Sequence, residues 1–450
     1  MSRIDMELFI DSHCHLFNIS DIPILQTVID KEKFVLEQVH HPLKALLLPA
    51  VFFKRKFIKK QQYKFISFFE SEIETNARNI DKSLNITLSD ENHQISAGKK
   101  IITPLIMDFD RNGFVANGNP EKIKSQVVKL VETIKREDIV STIILPFIAV
   151  DPRRFVYEDW SKEDSKLLGE GQISTNITNY INDFSVKTAI NDISAIETGD
   201  ICGIKLYPSL GWDLFPSDEN ILKSYAIVLK KLVEFDVPIT VHCQKASFEL
   251  GIDSDKGNEF TDPFKWNKLL ANTALDLKNI RLNLAHFGGE EGVKKIADFR
   301  YKNGESEEKC PYGPRKKGWT YEIIKLIKNY DNTYADLAAF DWCDKHAVAS
   351  LLWILFWDGK QDEDGEFYQD NSPNHKIINK LLWGTDIPMV LDAYRDYHDY
   401  FSSFFRAIDK PHQLEGNDYE VPAANKRYKV SEIINQLACN NPKRFHFKEN

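Results

Sequence analysis

Two histidines spaced two apart, in Asp11-Ser12-His13-Cys14-His15, are the sharpest chemical signal in the chain. They close an apolar, strand-like run. Side chains two apart on a strand project from the same face, so both imidazoles point one way. Two neutral imidazoles suit Zn²⁺, Fe²⁺, Mn²⁺ or Co²⁺. Alone, a His-x-His pair is as readily two incidental surface histidines. Four further segments shift that balance. His242 ends Val237-Pro-Ile-Thr-Val-His, His286 ends Ile280-Arg-Leu-Asn-Leu-Ala-His, and Asp386 ends Leu381-Leu-Trp-Gly-Thr-Asp. Lys205 sits near the end of Cys202-Gly-Ile-Lys-Leu-Tyr. Four histidines and a carboxylate, each at the end of an apolar run, point to one shared metal-binding or catalytic site. A divalent cation there would lower the pKa of a bound water from about 15.7 toward about 7. Asp386 could accept that proton while His286 polarises a carbonyl or protonates a leaving group. The same cation could instead act as a Lewis acid toward a carboxylate or enolate, which would serve decarboxylation.

Such residues need a scaffold that brings many strand ends together. Apolar, β-branched runs near residues 7–11, 101–108, 142–150, 202–207, 238–242, 281–286, 333–337 and 381–386 read as eight strands. Amphipathic stretches, such as 220–235 and 322–329, have helical spacing between them. Strand-helix alternation implies a parallel sheet, because parallel neighbours need a crossover. Eight units suggest an α/β fold of the closed (β/α)8 TIM-barrel type, whose active sites lie at the carboxyl ends of the strands. A dinucleotide-binding fold would want a Gly-rich turn after the first strand; His-Cys-His stands there instead. The chain reads as a single domain over residues 1–450 with a mostly helical insertion at about 23–100. That insertion contains helical material at 54–77 and a further apolar run at 45–52. Residues 301–319 and the acidic stretch 358–375 read as long loops, either functional lids or surface decoration.

Composition narrows the function classes. Hydrophobic residues make up 42% and charged residues 28% of the 450, with a net charge of -9, so a globular core is expected and a basic nucleic-acid face is not. Six cysteines without CxxC pairing read as reduced cytosolic thiols. No run reaches the roughly 18–20 apolar residues of a membrane span, and the first residues lack a signal-peptide layout. A cytoplasmic protein with a small-molecule substrate is expected, with no nucleic-acid or membrane partner.

Secondary candidates stand beside the central set. Arg153 and Arg154 follow the third strand and could clamp a substrate carboxylate, although a loop-pinning salt bridge explains either one as well. Tyr207 and Trp212 could wall a pocket or pack the core. Asp336 could orient His286 as a supporting carboxylate. Cys14 alternates away from its flanking histidines. His40, His41, His93, His346, His375, His398, His412 and His446 lack comparable context and read as ordinary.

The ordered segments IDSHCHLF, FIAVDPRR, GIKLYPSLGW, PITVHCQ, NLAHFGG, TYADLAAF, LLWGTDIP and NNPKRFHF resemble the amidohydrolase superfamily. The specific branch is the amidohydrolase-related (amidohydrolase 2) group, which includes aminocarboxymuconate-semialdehyde decarboxylase. The resemblance runs from Phe9 to Phe447 outside the insertions. It implies metal ligands at His13, His15, His242 and Asp386, with Asp386 also the proton acceptor, His286 a catalytic acid/base and Lys205 a substrate contact. One ion per chain, Zn²⁺ first among the candidates, is implied; a second would require carboxylated Lys205. A homodimer is the family-level assembly. The reading is a metal-dependent hydrolase of a lactone, amide or ester-like bond in a small substrate, with carboxylates among the candidates. The alternative is a metal-dependent non-oxidative decarboxylase of an unsaturated or aromatic acid. A non-catalytic binding barrel predicts missing ligands, and none is missing.

Overall fold

Apolar runs that are too short for buried helices become parallel strands. In the computed structural model the described residues are 2–16, 71–85, 88–89, 93–108, 121–136, 141–160, 162, 165–245, 254–303, 318–357, 375–413, 420–421 and 429–448. One sheet holds β1 (Ser2–Cys14), β2 (Leu88–Ser89), β3 (His93–Pro104) and β4 (Ile143–Ile144). A second holds β5 (Phe147–Ala149), β6 (Gly203–Leu206), β7 (Ile239–Val241), β8 (Leu282–Leu284), β9 (Thr333–Asp336) and β10 (Leu381–Leu382), in spatial order β10-β9-β8-β7-β6-β5. Every pair in the second sheet is parallel, and in the first only β2 runs antiparallel to β3. A short antiparallel pair, β11 (His412–Gln413) and β12 (Glu420–Val421), stands apart.

Backbone hydrogen bonds join the two sheets at both edges. Ile106 N donates to Phe147 O at 2.9 Å, and Leu105 bridges Phe147 in parallel. On the other side Ser12 N donates to Trp383 O at 2.9 Å, Thr385 N to His13 O at 3.0 Å, and His15 N to Ile387 O at 2.7 Å. The second of these seams runs beside the His-x-His pair and Asp386.

The expected strands are all present, with changes of extent; β3 stops at Pro104 and β10 at Leu382, short of the expected 108 and 386. The run 142–150 is interrupted between β4 and β5, where Pro146 has no N–H to give to the ladder. The strand expected from 101 begins at His93, and β1 begins at Ser2, so the two pair from Ser2 opposite His93 onward. Ile4, Met6 and Leu8 alternate inward and are buried against this extension, as is Ile95. Within the described part of the insertion, residues 93–100 form strand; they are too polar to read as a strand alone and are recruited by the alternating face of β1. The insertion's described helix is Ile73–Asn85, with Ile73, Ala77, Ile80 and Leu84 on one buried stripe. The apolar run 45–52 lies outside the described residues, as does most of the helical material expected at 54–77. So do 304–317 and 358–374 of the two expected long loops. Helices Glu219–Glu234 and Trp319–Asn329 cover the two amphipathic stretches, and Asp218 caps the first through the N–H groups of Asn220 and Ile221. Cys14, Cys202, Cys243 and Cys439 are buried free thiols and Cys343 is exposed. No helix among the described residues is long and apolar enough to cross a membrane.

The chain's last helical turns lock the amino-terminal side of this framework. Asn441 is fully buried and donates to Ile378 O at 2.7 Å and Leu381 O at 2.6 Å, just ahead of and within β10. Asn441→Ala leaves both carbonyls unpaired, and we expect a loss of about 2–4 kcal/mol in unfolding free energy by urea titration. An unchanged midpoint would show that the tail does not hold β10.

Candidate metal centre

Five parallel strands end at one place and deliver His13 (end of β1), His15 (just after β1), Lys205 (β6), His242 (after β7), His286 (after β8) and Asp386 (after β10). All six are buried. His13 Nδ1 lies 3.0 Å from Asp336 Oδ2, and His15 Nδ1 lies 2.8 Å from the carbonyl of Leu105. A carboxylate and a carbonyl can only accept, so each histidine donates from Nδ1 and, when neutral, keeps a lone pair at Nε2. Those two Nε2 atoms stand 3.3 and 3.0 Å from the same oxygen, Asp386 Oδ1. His13 Nε2 is buried and makes no hydrogen bond.

With both imidazoles neutral, three lone-pair atoms converge at this range, and a proton or a metal cation between them relieves their repulsion. Ligands about 2.0–2.1 Å from a tetrahedral ion stand roughly 3.4 Å from one another, which matches the spacing here. The donor set of two imidazoles and one carboxylate therefore fits a divalent cation.

The backbone is shaped to make this convergence. Asp386 adopts φ 61°, a left-handed conformation costly for a residue with a Cβ. It is held there by its own N–H, which donates to His13 O at 2.7 Å. Gly384 lets the strands approach: a Cβ at this position would sit 2.8 Å from the Cβ of His13 and 3.1 Å from that of Ala338. Beneath them the Asp11 carboxylate accepts from Thr385 Oγ1 at 2.7 Å and from the His13 N–H at 3.1 Å. Burial pushes the Asp11 carboxyl up to about 7, against these hydrogen bonds.

His242 and His286 form a second tier. His286 adopts φ 66° and its Nδ1 faces Ala338 O at 3.1 Å, leaving Nε2 toward His242 Nδ1 at 3.2 Å. His242 Nε2 in turn faces Gln244 O at 3.1 Å. The His13 and His286 rings are 4.7 Å apart between centroids. His242 thus belongs to the cluster; its Nδ1 and His286 Nε2 face each other as lone-pair atoms when both rings are neutral, beside the three atoms that converge at Asp386. Burial lowers the His286 imidazole to about 4 and holds His242 well below its usual range, so both are neutral. For His13, burial also acts downward, yet the Asp336 charge and hydrogen bond outweigh it and raise that imidazole.

Asp336 organises both tiers. Its Oδ2 accepts from His13 Nδ1 at 3.0 Å and Asn283 Nδ2 at 2.7 Å, while Oδ1 accepts from the N–H groups of His286 at 2.8 Å and Ala338 at 3.1 Å. The sequence suggests Asp336 as a support for His286. The structure shows it gripping that residue's backbone and the ring of His13. Sequence reasoning does not single out Asn283, Thr385 or Asp11, although Asp11 alternates with His13 and Thr385 adjoins Asp386.

Lys205 is buried and its Nζ has no hydrogen-bond partner. Burial lowers it to about 8, opposed by the charges of Asp336 and Asp386. Tyr207 lies beside it, the ammonium 5.7 Å from the ring centroid, and packs on His242 at 4.6 Å. The remaining candidates are engaged elsewhere. Arg153 is bound to the Asp151 carboxylate and to the carbonyls of Gly211 and Leu210. Arg154 makes a two-pronged pair with Asp108 and lies 4.0 Å over the Trp160 ring. Trp212 is buried in the core, edge-on to Tyr225.

No protein-family model matches the sequence, and no curated protein matches it either. Among solved structures, the chain is similar to 5-carboxyvanillate decarboxylase LigW from Sphingomonas paucimobilis, at 7% identity and TM-score 0.44, over 99% of each chain. It is also similar to a dihydroxybenzoic acid decarboxylase from Polaromonas sp. JS666, solved with manganese and 2-nitroresorcinol. That match has 11% identity and TM-score 0.45, over 99% of this chain and 97% of the other.

Asp336→Asn places an amide donor against the N–H groups of His13 or Asn283, or of His286 and Ala338. We expect divalent-metal affinity to fall by about 10–100-fold, read by competition with a chromophoric chelator. Unchanged affinity would remove Asp336 from the support of the centre.

Proposed function

We propose that this chain is a metal-dependent enzyme of the amidohydrolase superfamily, built as one closed (β/α)8 barrel, that removes CO₂ without oxidation from a small unsaturated or aromatic acid. The observation that carries the reading is Lys205. A buried ammonium without a partner is costly, and a substrate carboxylate would relieve that cost next to the cation site. The arginines are already neutralised by Asp151 and Asp108, so among the described residues Lys205 is the cation facing the cluster that can take this role. The backbone hydrogen bonds at both seams support closure of the barrel.

His13, His15 and Asp386 would hold one divalent ion, Zn²⁺ being the first expectation, with His242 next to them through His286. When bound, the ion supplies Lewis-acid polarisation of substrate oxygens. Lys205 holds the departing carboxylate. The bond between that carboxyl and its carbon breaks, CO₂ leaves, and the carbon keeping the electron pair takes a proton. Lys205, brought to about 8, and His286 are the titratable groups placed to supply or relay it. A second reading, hydrolysis of a lactone, amide or ester-like bond, is favoured by Asp386. Its Oδ1, beside both Nε2 atoms, can take a proton from water attacking a carbonyl. We place the enzyme in the cytoplasm, with a small-molecule substrate and a homodimeric assembly.

Assay of the metal-loaded protein against aromatic and unsaturated acids should give CO₂ release that chelation abolishes and a divalent ion restores. Because Lys205 is charged below about pH 8 and neutral above it, kcat/KM should fall as pH rises through that value. Lys205→Met should be slow and lack this limb. Turnover of lactones or amides but not acids would move the assignment to hydrolysis, and an unaltered Lys205→Met profile would sink the carboxylate role.

A further inference from the structure

Opposite the site, the chain's last residues turn inward. Arg281, at the start of β8, donates to Phe445 O at 2.9 Å and His446 O at 3.3 Å, and also to Asp236 O, just before β7. Lys448 pairs with the same Asp236 at 2.5 Å. Phe445 packs on Tyr334 of β9 with centroids 5.3 Å apart. These anchors lie at the amino-terminal starts of their strands. From them His446 reaches in between the sheets, edge-on to Phe147 of β5 at 5.5 Å, and its Nε2 meets Ser12 Oγ at 3.0 Å. The ring is wholly buried and its Nδ1 has no hydrogen-bond partner.

Packing alone is a poor reason for this imidazole. An apolar side chain would fill the space without leaving a buried nitrogen unsatisfied. What the imidazole adds is its bond to Ser12, and Ser12 sits at a sensitive point. It lies between Asp11, which grips Thr385, and His13, and its own N–H donates to Trp383 O in the β1–β10 seam. The register of β1 shifts between Asp11 and Cys14, so the ladder leaves this stretch less constrained than the rest of the strand.

We propose that His446 is a positioning residue: through Ser12 it fixes the irregular stretch of β1 that aims His13 and His15 at Asp386. This rests on the metal-site reading. The role of the ring is geometric, so its removal should loosen cation binding without weakening the metal-free fold.

The test uses the full-length protein, with Zn²⁺ as probe, measuring affinity by chelator competition and the melting temperature of the metal-free form. Replacing both partners, in Ser12→Ala/His446→Leu, removes the polar pair together and should keep the metal-free melting temperature near wild type. Its Zn²⁺ affinity should nevertheless fall by about tenfold or more. Ser12→Ala alone should show most of that loss, and His446→Gln, which keeps a donor toward Ser12, should recover most of it. Wild-type affinity in the double variant, or an affinity loss that only follows a collapse in metal-free stability, would overturn the positioning role. Failure of the wild-type protein to bind Zn²⁺ at all would instead fell the metal-site reading beneath it.

Discussion

One buried carboxylate sets the geometry of the centre. Asp336 accepts four hydrogen bonds, from the His13 ring, the Asn283 amide and the backbone N–H groups of His286 and Ala338. Burial alone would push its proton affinity up, but the His13 ring beside it and these donors hold it well below the usual carboxylate range. It therefore remains an anion. An anion with only donors around it fixes the His13 tautomer, and the tautomer leaves Nε2 open toward Asp386. Were Asp336 protonated, the ring could turn or exchange its proton, and the three converging atoms would no longer be specified.

The remaining features serve that arrangement from different directions. Leu105 O sets His15 in the same sense that Asp336 sets His13. The left-handed backbone at Asp386 and His286 stores strain at the two residues that face the cluster. Such strain persists only where surrounding contacts over-determine it, here through the His13 carbonyl and the Asp336 carboxylate. Lys205 then stands as a buried ammonium without a hydrogen-bond partner, in a site where His242 and His286 are kept neutral.

Much of this was legible in the sequence because strand ends are easy to see. An apolar run closing on His, Lys or Asp declares both the element and the side chain at its mouth, and His13, His15, His242, His286, Lys205 and Asp386 were all found that way. Supporting contacts were harder, since they join residues hundreds of positions apart. That Asp336 would hold the His13 ring, or that His446 would reach Ser12, depends on packing across the sheets and leaves no local pattern. The extension of β3 back to His93 was hidden for a related reason: its residues are polar, and their strand form comes from β1. The arginines after the third strand carried two readings, and their pairing with Asp151 and Asp108 depends on neighbours the sequence order does not place.

The central claim is that His13, His15 and Asp386 share one divalent cation. Elemental analysis of protein purified from metal-supplemented medium tests it most directly, beside an Asp386→Ala variant as control. The account predicts close to one divalent ion per chain in the wild-type protein and its loss in the variant. A wild-type protein without metal, or a variant that keeps its full complement, would contradict it.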